Sequence, residues 1–152
     1  MPVWARRAAW VLGAAAAFYG AVYADLWLRA RTAVLTGDRY MAWTKDPAAK
    51  KAWFDAELAA EKAALDAGLK AGTMGAPEHA QRVALAEFRR DEAVAESSLK
   101  LAYHWYKTAV ELFGPPETRW VRAARERMPE AKALWKAELD AAKVPYEEYM
   151  LE

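Results

Sequence analysis

The 152-residue chain is long enough for one membrane helix and one modest soluble domain, not for several domains. It has no cysteine, which excludes disulfides, thiolate metal sites and cysteine nucleophiles together. Its 22 basic and 21 acidic residues leave a net charge of +1. After residue 31 the balance is 18 basic to 20 acidic, without the basic footprint that a nucleic-acid backbone requires.

The first element is an apolar run over residues 8–28, AAWVLGAAAAFYGAVYADLWL, with Asp25 as its only charge. At the helical rise it spans about 31 Å, close to the hydrocarbon thickness of a bilayer. Trp4, Arg6 and Arg7 flank one end, and Trp27, Arg29 and Arg31 the other, which are the residue types that anchor a span at the headgroup level. Arginines lie on both sides, so they set no orientation. The span holds eight alanines and two glycines with few bulky aliphatics, so it is only marginally hydrophobic. Ala9, Gly13, Ala17, Ala21 and Ala24 recur at helical spacing on one face, where small side chains let another helix approach closely. Asp25 lies one turn before Arg29, and an ion pair between them is expected. The main rival to an anchor is a signal peptide cleaved after Val22-Tyr23-Ala24. A mitochondrial presequence and a helix buried in a soluble core are lesser rivals.

The anchor with its flanks is expected over 1–36, ending at Gly37, followed by a linker over 37–46. Asp46-Pro47 is a helix start, with a capping acceptor followed by proline at the first helical position. From there a helical hairpin is expected over 47–113. Its first helix runs to about 70 with Phe54, Leu58, Leu65 and Leu69 on one stripe, and Gly72 and Gly75 mark the turn. The second runs from Pro77 to about Phe113, with a stripe through Ala84, Phe88, Ala95, Leu99, Ala102, Tyr106, Ala109 and Phe113. A second apolar row, Leu101, Trp105, Thr108 and Leu112, makes its C-terminal half apolar over most of its circumference. Gly114-Pro115-Pro116 stops that helix, and a tail over 114–152 is expected as short helices near 117–127 and 130–142, divided by Pro129, with a terminal turn after Pro145. No run of alternating β-branched residues signals a strand, so the fold class is all-α.

Nothing in the sequence assembles a catalytic, cofactor or metal site. His79 and His104, placed on one long helix, would lie about 37 Å apart and could not share a metal. The pairs Glu57/Glu61 and Glu92/Glu96 lack the accompanying histidine of a carboxylate metal motif and read as solvated helix faces. Ser97-Ser98 has no local base, and the glycines do not form a phosphate loop after a strand. Residues 101–109, LAYHWYKTA, resemble one helix of a tetratricopeptide unit, but an array of such repeats needs about three to be stable.

With eight Trp, seven Tyr and four Phe, the chain is rich in rings that need broad apolar partners. Trp105, Tyr106, Phe113, Trp120, Trp135 and Tyr149 are the candidates for contact with a partner. A short N-terminus, one span, amphipathic helices and an aromatic tail resemble, in outline, the single-pass accessory subunits of mitochondrial respiratory complexes; small subunits of bacterial electron-transfer complexes share that outline. The resemblance is architectural and carries no individual residue across. It implies a non-catalytic subunit without a cofactor of its own, compatible with bound lipid, contacting other subunits and the bilayer and no nucleic acid. The implied address is the mitochondrial inner membrane ahead of the bacterial one. The alternatives are a membrane-tethered adaptor and an exported helical protein.

Overall fold

A computed structural model describes residues 2–151, and among them every regular element is helical. Five α-helices follow in order: α1 (Val3–Trp43), α2 (Pro47–Lys70), α3 (Ala76–Ala95), α4 (Ser98–Glu111) and α5 (Arg119–Ala141), then a 3-10 turn at Glu148–Leu151.

The first helix is longer than its sequence suggests. The segment expected as a linker is helical as far as Trp43, and Gly37 lies inside the helix rather than ending it. The reason is packing: the Tyr106 ring of α4 rests on the bare backbone at Gly37, where a Cβ would stand 2.6 Å from the ring. Glycine weakens a helix by about 1 kcal/mol relative to alanine, which tertiary contact of this closeness overrides. Asp38, the next residue, accepts from the Tyr106 hydroxyl at 2.7 Å and from Arg127 of α5 at 2.7 and 2.5 Å, tying three helices at one carboxylate.

The expected second helix of the hairpin is two helices. α3 ends at Ala95, Glu96 adopts an extended conformation, and Ser97 caps α4 by accepting from the Lys100 N–H at 3.2 Å. Lys50 of α2 is buried beside this break and donates to the Glu96 carbonyl at 2.5 Å, satisfying an acceptor at the end of α3. Ser97 also donates to the Glu138 carboxylate of α5. The hairpin is therefore α2 with α3. α4 leaves it to pack along α1 and α5.

α5 is likewise one helix where two were expected, and it continues through Pro129. Val121, Ala124, Ala131 and Trp135 form one buried stripe that crosses the proline without a change of phase, so packing on both sides holds the helix together. Its C-terminus is a Schellman turn, with Val144 donating to Leu139 and Lys143 donating to Asp140.

The core lies where α1, α4 and α5 meet. Ala30, Ala33, Ala102, Ala109, Ala124 and Ala131 are all within 1% of full burial, so the helices approach closely, and Tyr106, Trp135 and Leu151 fill the remaining volume. The α2–α3 hairpin stands off this core and touches it mainly through α1. Its interior is thin, centred on Leu65 and Ala86, and three ion pairs cross it, Asp55–Arg90, Glu61–Arg89 and Lys62–Glu87, together with an Asp66–His79 hydrogen bond.

Candidate functional site

Every residue from Arg6 to Asp25 is exposed. That stretch rises about 30 Å along the helix axis, the hydrocarbon thickness of a bilayer. The helix is long and apolar enough to cross a membrane, and none of its most apolar 18-residue window is buried. Trp10, Leu12, Phe18 and Tyr19 are each at least 66% exposed. A core helix of a water-soluble fold would bury such a face; this one leaves it open, while the continuation of the same helix, from Ala30 onward, enters the core.

Ala9, Gly13, Ala17, Ala21 and Ala24 lie on this open stretch, and a Cβ on Gly13 would meet nothing within 4 Å. Trp4, Arg6 and Arg7 are exposed at its start. At its other end the expected Asp25–Arg29 ion pair is formed, at 2.7 Å.

Just beyond Asp25 the chain builds a collar of rings and guanidinium groups. Trp27 meets Trp120, at the start of α5, edge to face with centroids 6.2 Å apart. The Arg119 guanidinium stands 5.5 Å from the Trp27 ring centre and 4.8 Å from that of Trp120, and Arg31 approaches Trp120 at 6.0 Å. These are cation–π distances. Thr118 fixes the position of Arg119 and Trp120 by capping α5, accepting from the Val121 N–H at 3.2 Å. Arg119 has no place among the residues expected at the membrane boundary, because only the tertiary fold brings α5 beside Trp27. Its one local signal is the helix start after Pro116.

Beside the collar, Leu28, Arg29 and Thr32 of α1, Trp105 of α4 and Phe113 just past its end line an open, largely apolar groove of about 250 Å³. Leu28 and Thr32 continue the helical face that carries Ala17, Ala21 and Ala24. Trp105 is 36% exposed, and Leu112 nearby on the second apolar row of α4 is 68% exposed.

Two of the expected partner-contact residues are inside the protein. Tyr106 is pinned between Gly37 and Asp38, and Trp135 is covered by Tyr103 and His104, at centroid distances of 5.8 and 5.7 Å. They are corrected to core residues: α5, as one continuous helix, covers a side of α4 that two short helices would leave open. Phe113 and Trp120 are half-buried, whereas Trp105 and Tyr149 remain exposed.

The histidines also fall on different helices from those expected. His79 of α3 pairs with Asp66 of α2 at 2.7 Å, and His104 of α4 packs at a tilt against both Tyr103 and Trp135. Burial, aided by the Lys100 and Lys107 charges, holds His104 below the usual histidine range. Burial likewise pushes the Lys50 ammonium down. Among the described residues no three His, Asp or Glu side chains converge with metal-site geometry. No family model, curated protein or solved structure matches the chain.

Proposed function

We propose that this protein is a non-catalytic single-pass subunit that stabilises a larger membrane complex. The observation that carries the reading is the bilayer-length apolar run over 8–28, exposed from its start as far as Asp25 and continuous, in one helix, with a packed domain. Lipid covers such a surface in part. The small-residue face through Gly13 and Ala17 adds a second requirement, since close helix packing is the main source of association where lipid tails are as apolar as side chains. A core membrane helix of a partner subunit would lie along that face and meet the exposed Trp105 and Leu112 where it leaves the bilayer. In this reading the complex is a respiratory or electron-transfer assembly, with the mitochondrial inner membrane favoured over the bacterial inner membrane on architectural likeness alone.

The test is extraction of native membranes with a mild detergent. The chain is expected in a particle far heavier than its own 17.0 kDa, and Gly13→Leu or Ala17→Leu is expected to release it. Recovery as a monomer that is indifferent to Gly13→Leu refutes the reading.

One observation favours a second reading, a tethered adaptor. The α2–α3 hairpin projects from the core and exposes Leu85 at 53% and Phe88 at 62%, an apolar pair suited to a soluble partner. Under that reading a chain lacking the span still binds its partner. An exported protein cleaved after Ala24 would also keep the packed domain, which begins at Leu26; N-terminal sequencing that starts at Asp25 identifies that case.

A further inference from the structure

The ion pairs of this protein leave an unbalanced pair of cations at one place on the membrane helix. Arg29 is neutralised by Asp25 at 2.7 Å, and Glu117, the acid nearest Arg119 in the chain, is engaged by Arg125 at 2.6 Å. Arg31 and Arg119 have no carboxylate partner among the described residues, yet both guanidinium groups are held at the ring of Trp120, 6.0 and 4.8 Å from its centre. Two like charges at one ring repel unless an anion lies near them. The indole N–H of Trp120 is buried and has no hydrogen-bond partner in the protein.

The height of this cluster identifies the anion. Trp27 and Arg31 lie about 3 and 9 Å beyond Asp25 along the helix, at the end of the apolar stretch that begins after Arg7, in the layer occupied by phospholipid headgroups when that stretch fills the hydrocarbon. Tryptophan is the residue favoured at that depth, and an arginine fork matches phosphate geometry through paired N–H donors.

We infer that Arg31 and Arg119, seated on the Trp27–Trp120 pair, bind the phosphate of an anionic phospholipid. The inference rests on the membrane-anchored reading of α1, and the experiment separates the two. The full-length chain in detergent micelles is offered phosphatidylglycerol and phosphatidylcholine of matched acyl chains in equal amounts, and retained lipid is counted by native mass spectrometry. In parallel, the chain is reconstituted in phosphatidylcholine vesicles and washed with alkaline carbonate.

Wild type is expected to stay in the washed vesicles and to retain phosphatidylglycerol several-fold over phosphatidylcholine. R31Q/R119Q is expected to bring that ratio near one. R6Q/R7Q removes the same charge from the opposite flank and is expected to leave the ratio as in wild type. Should the double variant lose its fold, R31Q alone, at an exposed position, is expected to reduce the ratio at least twofold. Loss of wild type from the vesicles overturns the anchor itself. Retention without lipid preference, an unchanged ratio in R31Q, or an equal fall in R6Q/R7Q overturns the headgroup site alone. Abolition of the preference by excess inorganic phosphate shows a free-phosphate site and overturns the lipid assignment.

Discussion

Tyr106 packs against the bare backbone of Gly37, and its hydroxyl donates at 2.7 Å to Asp38, so one ring is fixed both by shape and by a hydrogen bond. Burial, then the hydrogen bond and the negative charge of Asp38, push the Tyr106 phenol far above its usual range. This contact fixes the C-terminal part of α1 to α4.

Gly37→Ala measures that junction. A free helix gains about 1 kcal/mol from the change, whereas overpacking a filled contact costs about 1–3 kcal/mol. The ring cannot slide away while its hydroxyl is held. We expect net destabilisation of about 1–2 kcal/mol, read as a lower thermal midpoint. In Gly37→Ala/Tyr106→Phe the tether is gone, and the double variant should be more stable than the sum of the singles predicts. A stability gain in Gly37→Ala alone would show that the ring yields freely.

Two helices end on the same hydrogen-bond pattern with different residues at the turn. α2 ends with Gly72 at φ 71°, followed by Thr73 donating to Gly68; α5 ends with Lys143 at φ 55°, followed by Val144 donating to Leu139. A side chain in the left-handed region costs roughly 1–2 kcal/mol, and glycine does not bear that cost. Lys143→Gly is expected to stabilise the protein by about 0.5–1 kcal/mol in urea unfolding, and Gly72→Ala to destabilise it by about the same. Equal and opposite signs are the diagnostic. A loss in Lys143→Gly would mean that the lysine makes a compensating contact.

His104 gives a pH dependence with a definite sign. Its folded pKa lies below the unfolded value near 6.5, chiefly through burial and then through Lys100 and Lys107; Glu96 opposes the shift. Between the two values the unfolded chain binds a proton that the folded chain rejects. The stability is therefore fully present above about pH 6.5 and declines as pH falls through that value toward the folded pKa. The ring is half-buried, so the loss by pH 5.5 is expected to be no more than about 1 kcal/mol. Urea midpoints at pH 7.5 and 5.5 read it, and His104→Gln should flatten that window. An unchanged slope in the variant assigns the effect to other groups.

The helical class and the apolar first helix were readable because periodicity and run length survive without tertiary information. Asp46-Pro47 marked the start of α2 correctly, since Asp46 accepts from the Ala49 N–H at 3.0 Å. The boundaries that failed are those where packing opposes a local signal. Gly37 reads as a stop because its use, room for Tyr106, lies 69 residues away. Pro129 reads as a divider, although the stripe of Val121, Ala124, Ala131 and Trp135 keeps its phase across it. The opposite error occurred at Glu96–Ser97, where the apolar stripe was drawn through a real break that Lys50 fixes from another helix. There the serine pair before Leu99 was the available capping signal. The collar shows the same limit: Trp27 and Arg31 stand out by position, whereas Arg119 joins them only once α5 is placed.

The position at which packing begins predicts where the chain can be cut. From Arg6 to Asp25 every residue is exposed, whereas Leu26 and Trp27 are half-buried and Ala30 is fully buried. A chain beginning at Asp25 keeps the Asp25–Arg29 pair, the Trp27–Trp120 contact and the whole α1–α4–α5 core. Its stability is expected to match that of the full chain within about 0.5 kcal/mol, because surface changes away from packed features seldom exceed that. It should also dissolve without detergent. A chain beginning at Thr32 loses Trp27, Ala30 and Arg31, strips the cover from Trp120, and leaves Ala33 and Val34 at a fraying helix end. The loss is expected at about 2–4 kcal/mol, on the scale of removing buried apolar side chains. Paired urea unfolding of the two truncations reads the difference. Equal stability would place the start of the core after residue 31 and remove the collar from the fold.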